Sequence, residues 1–296
     1  MTARVPVTNL SAWIGRQEDA LDEVTGPAVA RVRALLDLPP DRLARGEPIP
    51  SAWYVMLFPP LAAQSTLAED GHPAKGQFLP PVALPRRMFA GRRVSFHEGL
   101  RVGDAMMRRS TIVRIAEKVG RSGPICFVTV RHEIAGPRGL AVIEEQDIVY
   151  RGETGAAARA AGSAAPDLSP RGEGTMPAWS QVIIPTPAMV FRYSAITFNA
   201  HRIHYDLPYT RDVEGYPGLV VNGGLTTLLV WHAAARTMGR AVAASATRNL
   251  QPLFVDRPIS IAGGTLGANG TLRVTVSNDL GQAALEADLQ LAEARS

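Results

Sequence analysis

Gly223-Gly-Leu-Thr-Thr-Leu-Leu-Val-Trp-His-Ala-Ala-Ala-Arg-Thr-Met238 is the stretch on which the architecture turns. From Leu225 to Trp231 it is apolar nearly all round, so as a helix it has no face to leave in water. Strand-like runs follow at about 242–254, 258–265, 271–277 and 283–291, and one near 180–185 precedes it, with short helical elements from Ala188. An antiparallel sheet curved around a single helix buries such a stretch on every side. The Gly223-Gly224 pair fits a place where backbone must approach something closely, or an ordinary turn.

Outward from this region the same grammar recurs. Arg93-Val-Ser-Phe96, Met107 to Lys118, Pro124 to Glu133 and Leu140 to Tyr150 read as strands separated by Gly-containing turns. Upstream, residues 10–37 carry helical spacing through Trp13, Leu21, Val24, Val29 and Val32, and Pro39-Pro40 stops it. Trp53 to Phe58 reads as a second helix ended by Pro59-Pro60, with a Gly- and Pro-rich loop up to Pro85. Residues 152–175 are poor in large apolar side chains and read as a linker. The chain therefore divides into a first domain over 1–151, a linker over 152–175 and a second domain over 176–296, with no clear sequence repeat between them. A length of 296 residues suits two cores.

Composition narrows the classes of function. A hydrophobic fraction of 46% with 20% charged residues is that of an ordinary globular protein. The net charge of +4 is mild, and the basic pairs Arg86-Arg87, Arg92-Arg93 and Arg108-Arg109 alternate with acidic and apolar stretches rather than forming a stripe, which argues against nucleic-acid binding. Those pairs read as solvated surface, or as contacts for the phosphates of an acyl carrier. No apolar run is long enough for a signal peptide or a spanning helix, so no membrane association and a cytoplasmic setting are expected. The single cysteine, Cys126, sits in an apolar run and reads as a buried core residue.

The segment that carries chemistry is Phe191-Arg-Tyr-Ser-Ala-Ile-Thr-Phe-Asn-Ala-His-Arg-Ile-His-Tyr-Asp206, leading to Glu214-Gly-Tyr-Pro-Gly-Leu-Val-Val-Asn-Gly-Gly224. Imidazole is the side chain suited to move protons near neutral pH, and an adjacent amide can hold water by donating and accepting. This segment resembles the MaoC-type hydratases, whose motif runs Asp-x-Asn-Pro-x-His beside the central helix of a hot-dog domain. Asn199 falls at the motif's Asp and His204 at its His. The closer resemblance is to the fused hydroxyacyl-thioester dehydratases, which include mesaconyl-CoA and itaconyl-CoA hydratases. It extends into the first half through Trp53-Tyr54, Asp70-Gly-His-Pro73, Phe78-Leu-Pro-Pro81, Leu84-Pro-Arg-Arg-Met88 and Glu145-Gln-Asp-Ile-Val-Tyr-Arg151.

The resemblance implies an α+β double hot-dog, its first half the FAS1-like dehydratase domain that shapes the cleft. It also implies a hydro-lyase acting reversibly on an enoyl- or 3-hydroxyacyl-CoA thioester, with short dicarboxylic acyl groups favoured. His204 is expected to move the proton and Asn199 to orient water or hydroxyl, since Asn199 removes the motif's carboxylate. The thioester carbonyl is expected against Gly223, Gly224 and Asn222, where a helix start favours developing negative charge. Asn222 stands where the relatives show His, and it can cap the helix that follows. His201 and Arg202 are supporting candidates, Arg202 as a partner of Asp206 or of an anion, and His72 is placed to line the cleft. His201, His204 and Asp206 form at most an incomplete metal set, so no metal and no cofactor is expected. The fusion satisfies side-by-side hot-dog pairing within one chain or allows a homodimer. Two rival readings are a carrier-protein dehydratase of fatty-acid or polyketide synthesis and a thioester-binding protein without turnover.

Overall fold

The computed structural model describes residues 9–39, 41, 43–120, 123–152 and 177–293. The linker expected over 152–175 lies outside the described residues apart from Gly152.

Ten strands make one antiparallel sheet. The first half contributes β1 (Gln17–Glu23), β3 (Arg86–Phe96), β5 (Ala105–Gly120), β6 (Gly123–Gly136) and β7 (Gly139–Arg151). The second contributes β8 (Trp179–Ile183), β9 (Val242–Asn249), β10 (Ile259–Gly263), β11 (Thr271–Ser277) and β12 (Ala283–Leu291). Their spatial order is β1-β5-β6-β7-β3-β9-β12-β11-β10-β8, and the short β2 (Pro48–Ile49) and β4 (Leu100–Arg101) pair apart. The halves thus join edge to edge through β3 and β9, in register from Gly91 opposite Arg248 to Ser95 opposite Ala244. Gly91 makes the seam possible, because a Cβ there would stand 2.2 Å from the Thr247 carbonyl oxygen.

Four α-helices lie among the described residues: α1 (Gly26–Leu35), α2 (Pro187–Thr197), α3 (Leu207–Asp212) and α4 (Gly223–Met238). Helix α4 is the apolar stretch of the sequence, and Leu225 through Trp231, with Ala233 and Ala234, are all buried. Its two threonines are accommodated because Thr226 and Thr227 donate their hydroxyls to the carbonyls of Asn222 and Gly223 one turn back. Trp231 is 1% exposed and its indole N–H donates to Ser245 Oγ at 2.8 Å. Helices α1 and α2 start alike, with Thr25 or Thr186 accepting a backbone N–H and Pro in the first turn.

Three expectations are corrected. Residues 17–23 leave the helix expected over 10–37 to form β1, held against β5 by the backbone ladder and by the Asp19–Arg109 pair at 2.8 Å. Pro27, without an N–H and crowding the preceding turn, fits only at the helix start. The expected helix at Trp53–Phe58 is a 3-10 helix over Ser51–Met56. Finally, the arginine pairs are not uniformly surface, because strand alternation sends neighbouring side chains to opposite faces. Arg92 is buried and paired with Glu144 at 3.1 Å, whereas Arg93 points outward to Glu145 and Asp147. Cys126 is buried as expected.

Candidate active site

Local sequence shapes the loop that carries Asn199 and His204. Helix α2 ends at Phe198 in the left-handed region (φ 50°), and the next N–H, of Asn199, returns to the Ser194 carbonyl at 2.8 Å. Asn199 then folds on itself, its Oδ1 accepting the His201 N–H at 3.0 Å. Its carbonyl oxygen is thereby engaged, leaving the amide N–H groups as donors. A 3-10 turn over Arg202–His204 follows, and Asp206 caps α3 by accepting the Tyr209 N–H at 3.0 Å.

His204 is 8% exposed, and its Nδ1 lies 2.8 Å from the Val220 carbonyl oxygen. A carbonyl only accepts, so Nδ1 carries the proton and Nε2 keeps its lone pair. Val220 is itself anchored, its N–H donating to the Ile203 carbonyl and its backbone forming an isolated β-bridge with Phe254. Burial pushes the His204 imidazole down to about 4, against the opposing pull of the Val220 carbonyl, so it is neutral at pH 7.

The first half delivers a second set of groups to this loop. His72 Nδ1 lies 2.9 Å from Asp70 Oδ2. The His72 ring centre is 4.1 Å from that of His201, which is 5.5 Å from that of His204. Arg202 clasps the two loops together, its backbone N–H donating to the Asp70 carbonyl and its guanidinium to the Glu69 carbonyl. Gly71 admits this contact, since it has φ +87° and a Cβ there would lie 1.9 Å from the Ala200 carbonyl oxygen. Burial works to raise the Asp70 carboxyl, but the hydrogen bond and charge of His72 hold it below the usual carboxylate range. Burial lowers His72, and it lowers His201 further together with the neighbouring imidazoles.

Asn222, Gly223 and Gly224 border the same cleft, a cavity of about 2690 Å³ that also reaches His72, Asn199, His201 and His204. Asn222 does not cap α4 as expected; its Nδ2 donates instead to Ser194 Oγ at 3.2 Å. The first turn of α4 therefore has no side-chain cap, and Asn222 Oδ1 is a buried acceptor with no partner among the described residues. The close approach expected at the Gly pair is made by protein atoms, for a Cβ on Gly224 would lie 2.2 Å from the Tyr193 hydroxyl.

Arg202 pairs with Asp206 at 2.7 Å and stacks over Tyr209. Asp206 is thus committed to Arg202 and to capping. The groups with metal-ligand chemistry that gather are Asp70, His72 and His201, their ligand atoms within 4.8 Å of one another. Asp70 and His72 are bonded to each other, an arrangement that holds an imidazole proton as well as it would a cation. Sequence reasoning placed His72 in the cleft but missed Asp70, for which the Asp-x-His spacing in a turn was the available signal.

The described residues hold no helix long and apolar enough to cross a membrane. The strand order, the helix enclosed by sheet and the cleft at its N-terminus define a double hot-dog protein. The family model for hydroxyacyl-thioester dehydratase type 2 matches residues 52–255. A mesaconyl-C(4)-CoA hydratase from Chloroflexus aurantiacus is 42% identical over 250 residues, 84% of this chain and 87% of that protein. This chain belongs to the hydroxyacyl-thioester dehydratase type 2 family. Its fold is shared with a MaoC-like dehydratase from Phytophthora capsici (TM-score 0.68, 12% identity, 95% of this chain and 97% of that one). A Mycobacterium tuberculosis protein with a double hotdog fold is also similar (TM-score 0.56, 16% identity, 94% and 96% covered).

Proposed function

We propose that this enzyme reversibly hydrates a short enoyl-CoA whose acyl group carries a second carboxylate, mesaconyl-C(4)-CoA first and itaconyl-CoA next. The observation that carries the chemistry is His204, with Nδ1 committed to the Val220 carbonyl and Nε2 left as a base in the cleft. The choice of acyl group rests on the 42% identity to the mesaconyl-C(4)-CoA hydratase. A thioester acidifies its α-proton, and the enolate charge that develops on the carbonyl oxygen needs donors already in position. The uncapped amides of Gly223 and Gly224, at the positive end of α4, are the donors in this reading. Asn222 Oδ1 accepts a hydrogen bond from water. His204 exchanges the α-proton and Asn199 steers the oxygen through its amide N–H groups. His201 supports between the imidazoles, and Arg202 holds the two loops in place.

The reaction takes place in the cytoplasm. The β3–β9 seam supplies hot-dog pairing within one chain, so a homodimer is not needed to complete the site.

The test is loss of enoyl-thioester absorbance with crotonyl-, mesaconyl- and itaconyl-CoA. Mesaconyl-C(4)-CoA is consumed fastest, and His204→Ala lowers turnover by ~10²–10⁴ or more while the protein stays folded. Unchanged turnover in that variant removes His204 from the mechanism. Preference for the same acyl group on a carrier protein would instead favour the dehydratase of fatty-acid or polyketide synthesis.

A further inference from the structure

Asn199 leaves a gap in the proton accounting of the site. Water that attacks a β-carbon must lose a proton as its oxygen bonds, so an acceptor is needed besides the group that serves the α-carbon. Asn199 Oδ1 accepts the His201 N–H, and a neutral amide is too weak a base to take a proton from water. His204 is assigned to the α-carbon, an assignment this inference rests on. The cleft offers another imidazole held by a carboxylate, and it comes from the other half of the chain.

We propose that His72, oriented by Asp70, is a second catalytic imidazole, handling the proton of the water or hydroxyl while His204 handles the α-proton. The Asp70 carboxylate accepts from Nδ1–H at 2.9 Å, which leaves His72 Nε2 as the lone pair. The loop is docked rather than loosely apposed, through Gly71 against Ala200 and through both donors of Arg202. Asp70 is a positioning residue, and its negative charge stabilises the imidazolium that forms on His72.

In hydration, a water O–H bond breaks and its proton passes to His72 Nε2 as the oxygen forms a C–O bond at the β-carbon. The π pair moves to the α-carbon and thioester carbonyl, and a Cα–H bond forms with a proton from His204, which enters the hydration direction as the imidazolium, loaded at Nε2 by the proton that His72 returned in the preceding turnover. The sum is addition of one water, with one proton moved from His204 to His72. His201, whose ring centre lies 4.1 Å from that of His72 and 5.5 Å from that of His204, is the route by which that proton returns. Dehydration runs the same steps backwards.

The experiment separates the two imidazoles. The saturated thioester 2-methylsuccinyl-C4-CoA has an α-proton and no leaving hydroxyl, so its deuterium exchange in D2O reports on His204 alone. His72→Gln is expected to lower hydration of mesaconyl-C(4)-CoA by at least ~10²-fold and to leave α-exchange within a few-fold of wild type. His204→Ala loses both. Hydration at the wild-type rate in His72→Gln, or loss of exchange in step with hydration, overturns the proposal.

Isosteric Asp70→Asn keeps the test usable if His72→Gln does not fold. The charged and titratable groups that face His72 are Asp70 of its own loop, Arg87 on β3, His201 of the catalytic loop and Glu214 after α3. Removing the Asp70 charge lowers the pKa of His72, so the acid limb of the hydration profile moves to lower pH as the plateau falls. An unmoved limb overturns the role of Asp70. Wild-type protein that hydrates none of the CoA thioesters would instead remove the functional reading on which the proposal stands.

Discussion

At the scale of the residue, two imidazoles of the cleft have one ring nitrogen fixed by an oxygen acceptor. His204 and His72 both give their Nδ1 to an oxygen acceptor, one a neutral carbonyl and the other a carboxylate. The difference in charge decides their behaviour. A carbonyl favours the imidazolium only weakly, so at His204 burial outweighs the Val220 hydrogen bond and the ring is neutral down to about pH 4. A base acts in its neutral form, and a lowered pKa extends that form to lower pH. Deuterium exchange into 2-methylsuccinyl-C4-CoA is therefore expected to hold its rate from pH 8 to about 5 and to fall with an acid limb near 4. An imidazole of ordinary pKa would lose the rate below about 6.5. Initial exchange rates across that range decide between the two.

At the scale of the element, the loop of Asn199 and His204 and the loop of Asp70 and His72 are short segments that brace each other. The contact depends on Gly71, where both conformation and space exclude a side chain. Gly71→Ala is expected to cost roughly 1–3 kcal/mol from the left-handed conformation alone. The added clash with Ala200 should lower turnover more than this stability loss explains. Gly99→Ala is the control, since a Cβ at Gly99 meets nothing within 4 Å. Thermal melts and turnover of the two variants check the expectation, and equal effects would show that the loops do not depend on this approach. Helix α4 needs no such device, because its start is positioned by a long buried helix whose Trp231 packs on Tyr54 and Phe96 from the first half.

At the scale of the whole molecule, the two halves share one sheet and one apolar core. The sheet runs unbroken across the β3–β9 seam, and one apolar core contains Trp53, Tyr54 and Val94 from the first half together with Leu225, Trp231 and Leu285 from the second. A half expressed alone would expose a long hydrogen-bonding edge at β3 or β9 and a cut through that core. Chains divided within 153–176 are thus expected to be insoluble or aggregated singly and to restore a hydratase when co-expressed. Size-exclusion chromatography and turnover of the three preparations test this; two soluble, monodisperse halves would contradict it. The functional consequence follows from the same seam, because it holds His72 and His201 in one cleft.

The residues themselves determined what is local. An apolar run too long to leave in water dictated a helix enclosed by sheet, and Asn199, His201 and His204 stood out as candidates because the segment that holds them resembles the MaoC-type motif. Strand alternation was equally available for Arg92 and Arg93, although charge alone suggested surface for both. Residues 17–23 could not be read correctly, since their strand depends on pairing with β5 rather than on any apolar period; Leu21, taken as part of a helix face, is 81% exposed. Only the tertiary structure decided that Asn222 turns to Ser194 instead of capping α4, and that Asp70 and His72 meet the catalytic loop. Glu69 and Arg202, which hold that meeting together, are 133 positions apart. No periodicity links such positions; the β3–β9 seam and the close approach at Gly71 bring them together.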